Sequence, residues 1–93
     1  MPASPEALCY AAGAGHLNVV EQLLRAAPTL LDSSTAEHDE TPLIGAAEKG
    51  HLEVVRFLLA HGADKTLKKK DGKTAMDLAR AGDHDAVVEL LRG

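Results

Sequence analysis

Aromatic side chains are nearly absent from this sequence. Tyr10 and Phe57 are the only two among 93 residues, and there is no tryptophan. Such a composition favours closely packed small helices over the core of a sandwich or barrel. Cysteine is equally scarce: the single Cys9 excludes an intramolecular disulfide and leaves no cysteine-rich metal framework. That usage fits a reducing compartment. No segment approaches the roughly 20 consecutive apolar residues that a membrane-spanning helix needs. The opening stretch MPASPEALCYAAG lacks the basic and apolar regions of a secretory leader. The expectation is a cytoplasmic or nuclear protein with no membrane partner. Cations are also outnumbered, 10 Lys and Arg against 14 Asp and Glu for a net charge of −4, which argues against a nucleic-acid partner. Finally, the chain has no glycine-rich phosphate loop, no nucleophile elbow and no His-x-x-x-His spacing, so neither an enzyme nor a cofactor is expected.

What the chain does have is repetition. GHLNVVEQLL at 15–24 returns as GHLEVVRFLL at 50–59, and a weaker echo, DHDAVVELLR, begins at Asp83. His16 to His51 is 35 positions; His51 to His84 and Thr41 to Thr74 are each 33. The extra two residues fall in the connector APTLLDSSTAEHDE, read as a loop insertion. Three units follow, at about 5–40, 41–73 and 74–93, within one small domain.

Each unit reads as two short helices. In the middle one Thr41 is suited to cap a helix, and Pro42 to open it, where a missing N–H costs nothing. Gly50 stops that helix by entering the left-handed conformation. Leu52, Val55, Leu58 and Leu59 then recur at helical spacing until Gly62. Ser4, Pro5 and Gly15 repeat the plan in the first unit, with Leu17, Val20, Leu23 and Leu24 as the stripe. In the third, Thr74 caps, and Val87, Val88, Leu90 and Leu91 are apolar. The pairs Ala11–Ala12 and Ala46–Ala47 let neighbouring helices approach closely, and a helix pair too short to bury its own face must stack on the next. Asp71–Gly72 marks a tight turn between units.

With these residues in place, TPLIGAAEKGHLEVVRFLLAHGAD (41–64) resembles an ankyrin repeat. DGKTAMDLARAGDHDAVVELL (71–91) is similar to the closing repeat of such an array, and EALCYAAGAGHLNVVEQLL (6–24) to an opening one. The resemblance implies an all-α fold: a solenoid of three stacked helix-turn-helix units with short hairpin loops. It also implies binding of other proteins through the loop tips and the exposed face of each first helix. The chain departs from the family pattern at the usual histidine of the TPLH segment, where Cys9, Ile44 and Asp77 stand. Arg80 takes an alanine slot and Asp83 a glycine slot, which suits an outward-facing terminal unit. The first and third units are read as caps.

His16, His51 and His84 share one slot in successive units, so their spacing points to a structural row and not to a metal site. His38 and His61 fall out of that register, as loop or helix-end residues. The stretch KTLKKKDGK is the densest charge run, and STAEHDET forms an acidic counterpart. Partner contact is therefore assigned to the tip residues Glu37, His38, Glu40, Lys70, Asp71 and Lys73 and, as the resemblance implies for the ends of the first helices, to Glu48 and Lys49. Gly13, Ala14, Ala81 and Gly82 occupy the matching ends of the other first helices. Cys9 is read as a small packing residue, and Ile44 as buried, with an exposed contact as the alternative. Two other functions stay open: a structural fragment, cap or self-associating unit of a longer array, and a binder of acidic or phosphorylated ligands at the lysine loop. The chain is expected to be a monomer or, at most, weakly self-associating.

Overall fold

The structure is a computed structural model and describes residues 3–93. Six helices run in antiparallel pairs: α1 (Pro5–Gly13) with α2 (Leu17–Ala26), α3 (Pro42–Lys49) with α4 (Leu52–Ala60), and α5 (Ala75–Ala81) with α6 (Asp85–Arg92). The first helices of the pairs stack closely on one another, while the second helices touch far less. The stack therefore curves towards the side of α1, α3 and α5, which becomes its concave side. Alanine is the reason. Ala11, Ala12, Ala46, Ala47 and Ala79 are all buried between the inner helices, where larger side chains would hold the backbones apart.

Each inner helix begins on a side-chain cap. The hydroxyls of Ser4, Thr41 and Thr74 accept the amides of Ala7, Ile44 and Asp77, and Pro5 and Pro42 open their helices. Asp77 returns the bond to the Thr74 amide, a reciprocal capping box absent from the other two pairs. The inner helices end alike. Gly15 (φ 77°), Gly50 (φ 76°) and Asp83 (φ 58°) all turn left-handed. The amides of His16, His51 and His84 then bond back to the carbonyls of Ala11, Ala46 and Ala79, each at 2.9 Å. Leu8, Val20, Leu43, Val54, Val55, Leu58 and Val87 fill the space between the two helix layers.

The connector read as a plain loop is not wholly irregular. A 3-10 turn at Pro28–Leu30 follows α2, where Pro28 fixes φ and half-buried Leu30 and Leu31 pack against the core. Asp32 then accepts the Asp64 amide at 2.8 Å, tying this connector to the equivalent one in the next unit.

Candidate protein-interaction face

The histidine row is built into the stack. His51 Nε2 lies 2.9 Å from the Gly13 carbonyl, and His84 Nε2 lies 3.0 Å from the Glu48 carbonyl. A carbonyl only accepts, so in both rings the proton sits on Nε2. Each histidine thus links its own helix pair to the one before it. His16 occupies the same slot on the first pair and is exposed. His61 ends α4, with Nδ1 2.9 Å from the Phe57 carbonyl and its ring tilted by 35° against that of Phe57, centroids 4.1 Å apart.

Two loop tips project beside the concave side. Residues 68–74 form a hairpin closed by an antiparallel bridge between Lys68 and Thr74. Gly72 supplies the left-handed turn, and the Asp71 carboxylate accepts the Lys73 amide. In the other tip Thr35 holds the turn: its carbonyl accepts the Asp39 amide, and its hydroxyl accepts the Glu40 amide. The tips are joined by their backbones, since the Lys70 amide donates to the His38 carbonyl at 3.0 Å. Glu40 and Lys69, one on each tip, also face one another at 3.9 Å.

The structure therefore brings Glu37, His38, Glu40, Lys70, Asp71 and Lys73 into one surface. It does not bring Glu48 and Lys49 there. They lie at the opposite end of α3, about 12 Å away for eight residues of helix. Of the site residues, Glu37, His38, Lys49, Lys70 and Lys73 are exposed, while Asp71 spends its carboxylate on the turn. Ile44 is fully buried, so it offers no exposed contact.

The lysine run is also divided. Lys65 turns away and donates to the Leu91 carbonyl at 2.9 Å, capping the last turn of α6. Lys69 pairs with Glu40. Of the run, only Lys68, Lys70 and Lys73 remain exposed.

Sequence reasoning missed a groove of about 420 Å³ between α1 and the acidic tip. Tyr10 forms one wall and is 73% exposed, the one large hydrophobic side chain so placed among the described residues. Glu6, Glu37 and Glu40 bring three carboxylates to its lining, and Cys9 lies at its base. The signal was available: Tyr10 falls on the first helix, out of phase with the buried Leu8, Ala11 and Ala12. Cys9, in the place of the family's usual histidine, donates its Sγ–H to the Glu40 carbonyl at 3.1 Å. Burial, with Glu40 and then Glu6 adding their charges, pushes its pKa up to about 12. Such a thiol is inert at neutral pH.

Among the described residues no group of three His, Cys, Asp or Glu side chains could hold a metal ion. No helix among them is long and apolar enough to cross a membrane.

The family model for ankyrin repeats (3 copies) matches residues 8–93. The chain is 39% identical over 89 residues to the probable E3 ubiquitin-protein ligase XBOS33 of Oryza sativa subsp. japonica, covering 96% of this chain and 17% of that protein. It is 35% identical over 80 residues to the human NAD-capped RNA hydrolase NUDT12, covering 86% of this chain and 17% of the hydrolase. Mouse ankyrin repeat and SAM domain-containing protein 6 is 40% identical over 85 residues, covering 91% of this chain and 9% of that protein. The chain spans less than a fifth of the length of these relatives. Repeats of this kind are general protein-interaction modules. The stacked helix pairs, their histidine links and the matched sequence agree: the chain belongs to the ankyrin-repeat family.

Proposed function

We propose that this chain is a protein-binding module that holds a partner segment along its concave side and across the two joined tips. The observation that carries this reading is the Lys70 amide bond to the His38 carbonyl, which fixes the two tips relative to each other before any partner arrives. A surface ordered in advance loses little conformational entropy on binding.

The charge on that surface is unequal. The groove beside Tyr10 carries Glu6, Glu37 and Glu40, and the hairpin carries Lys68, Lys70 and Lys73. Such an arrangement suits a partner segment with a basic residue near the groove and an acidic one near the hairpin, and it steers association more than it adds affinity. Glu48 and Lys49 extend the contact along the far end of the inner helices.

The test is affinity capture from a nuclease-treated lysate with two baits, the wild type and the Lys70→Glu, Lys73→Glu variant, matched for helicity by circular dichroism. A partner held by the first and lost by the second supports the reading. Equal capture by both removes these lysines from the site.

A further inference from the structure

The first inner helix differs from the second where it faces the loop tip that follows it. Tyr10 stands on α1, 73% exposed. In the next pair the same position, 35 residues on, is Gly45, which has no side chain to offer a partner. The tips differ as well. The one facing α1 carries Glu37 and Glu40, whereas the next carries Lys70 and Lys73. Among the described residues, an exposed ring and a set of carboxylates therefore meet once, in the groove of about 420 Å³. Both of its walls belong to this chain.

The groove is negative, and its anions are not used up within the fold. Its lining holds Glu6, Glu37 and Glu40 and no lysine or arginine. Glu6 accepts the Ala36 amide with Oε2 at 3.3 Å, and among the described residues no donor reaches its Oε1. Glu37 stands almost wholly in solvent, with His38 Nε2 3.6 Å from its Oε1. Glu40 alone has a permanent cation near it, Lys69 at 3.9 Å. The thiol at the base registers the imbalance: burial raises the Cys9 pKa most, and the charges of Glu40 and then Glu6 raise it further.

Ring and carboxylates select the same ligand chemistry. The face of a tyrosine ring is the negative part of its quadrupole and attracts a cation laid over it. A guanidinium is flat and weakly hydrated, so it can lie on the ring while its in-plane N–H groups point at carboxylates alongside. An ammonium is compact and strongly hydrated, and gains less from a ring open to water. We propose that the groove is an arginine subsite, in which a partner segment lays a guanidinium on Tyr10 and bonds it to Glu6 and Glu37. The proposal rests on the protein-binding reading above and names the side chain by which one end of the partner is held. Charge alone would accept lysine equally; the exposed ring separates the two.

The probes are three capped tripeptides, acetyl-Gly-Arg-Gly-amide and its lysine and citrulline counterparts, titrated at constant ionic strength. Tyr10 is the sole tyrosine in a chain without tryptophan, so its ring signals report the site directly in proton NMR. The backbone amides of 36–40 report it independently. The expected result is a saturable shift at both places with the arginine peptide and none with citrulline, which keeps the shape and lacks the charge. The lysine peptide should bind about two- to fivefold more weakly. Tyr10→Ala should weaken arginine binding by a similar factor, read from the amides. Glu6→Gln, Glu37→Gln should abolish it, since glutamine keeps an acceptor for the Ala36 amide and removes the charge. Tyr10, Glu6 and Glu37 are exposed, so these variants are expected to fold, which circular dichroism checks. The absence of a saturable shift with arginine, equal affinity for lysine, or unchanged binding by Tyr10→Ala overturns the proposal. A partner captured by Tyr10→Ala as well as by the wild type, but lost by Lys70→Glu, Lys73→Glu, overturns the arginine subsite alone and leaves the protein-binding reading standing.

Discussion

The imidazole of His51 donates from Nε2 to the carbonyl of Gly13, 38 residues earlier, at 2.9 Å. One side chain thereby satisfies a carbonyl at the end of α1 and sets the second helix pair against the first. His84 does the same for the third pair at the Glu48 carbonyl. Replacing either by alanine removes a bond between units and leaves a half-buried carbonyl unpaired, at a cost of about 1–2 kcal/mol. His16→Ala should stay within about 0.5 kcal/mol of the wild type, because that ring is exposed. Urea denaturation of the three variants checks the contrast, and equal effects at all three positions would contradict it.

Two glycines separate strain from collision. Gly62 turns with φ 91° and has nothing within 4 Å of its missing Cβ, whereas Gly50 turns with φ 76° beneath the His84 ring. Gly62→Ala should cost about 1–2 kcal/mol, the left-handed strain alone. Gly50→Ala adds the clash and should cost more than that. Thermal unfolding of both variants measures the difference.

Gly45 carries the opposite expectation. It lies inside α3 with an ordinary backbone, and a Cβ there would meet Glu40 Oε2 at 3.3 Å and the Cys9 carbonyl at 3.5 Å. The nearer atom is the end of a flexible side chain and yields a few tenths of an ångström. Helix propensity then favours alanine by about 0.5–1 kcal/mol. Gly45→Ala should raise the melting temperature, and a fall would mean that Glu40 is held more tightly than its pairing with Lys69 suggests.

Cys9 is 4% exposed, and its pKa is pushed up to about 12 from an ordinary value of 9.0. The folded chain therefore holds the thiol proton more tightly than the unfolded chain does. Its contribution to stability is full below pH 9 and falls away as pH rises towards 12. Iodoacetamide at pH 8 should label the native chain more than about tenfold slower than the chain in urea, where the thiol is released.

Asp77 behaves in the reverse sense. Its carboxylate accepts the Thr74 amide in the capping box, which lowers its pKa. The ionised form is favoured in the folded state, so the contribution is present above about pH 4 and is lost as pH falls through the lowered value. Asp77→Asn should destabilise α5 at pH 7, with the difference from wild type shrinking towards pH 2. A pH-independent difference would assign the effect to shape instead of charge.

Much of this architecture was legible because its determinants are local and repeated. Thr41, Pro42 and Gly50 mark the start and stop of α3 by backbone chemistry alone, and the same offsets recover α1 and α5. The candidate face was legible only in part. Glu37 and Lys70 stand on tips that any charged stretch between helices would suggest. That their backbones join through His38 depends on the stacking of two units and leaves no trace in either stretch. The lysine run looked uniform, yet Lys65 is consumed by the end of α6, 26 positions away, and Lys69 by Glu40. The 3-10 turn at Pro28–Leu30 was hidden for a similar reason, since Leu30 and Leu31 earn their place only once α2 is docked. Glu48 and Lys49 stand at the far end of α3, one helix length from the tips, as their place after the alanine pair implies.

The most direct test of the account is amide hydrogen exchange of this chain, alone and with a captured partner. Binding across the joined tips predicts added protection at residues 36–40 and 69–73, with α2, α4 and α6 unchanged. Protection confined to α4 and α6 would place the partner on the convex side and contradict the account.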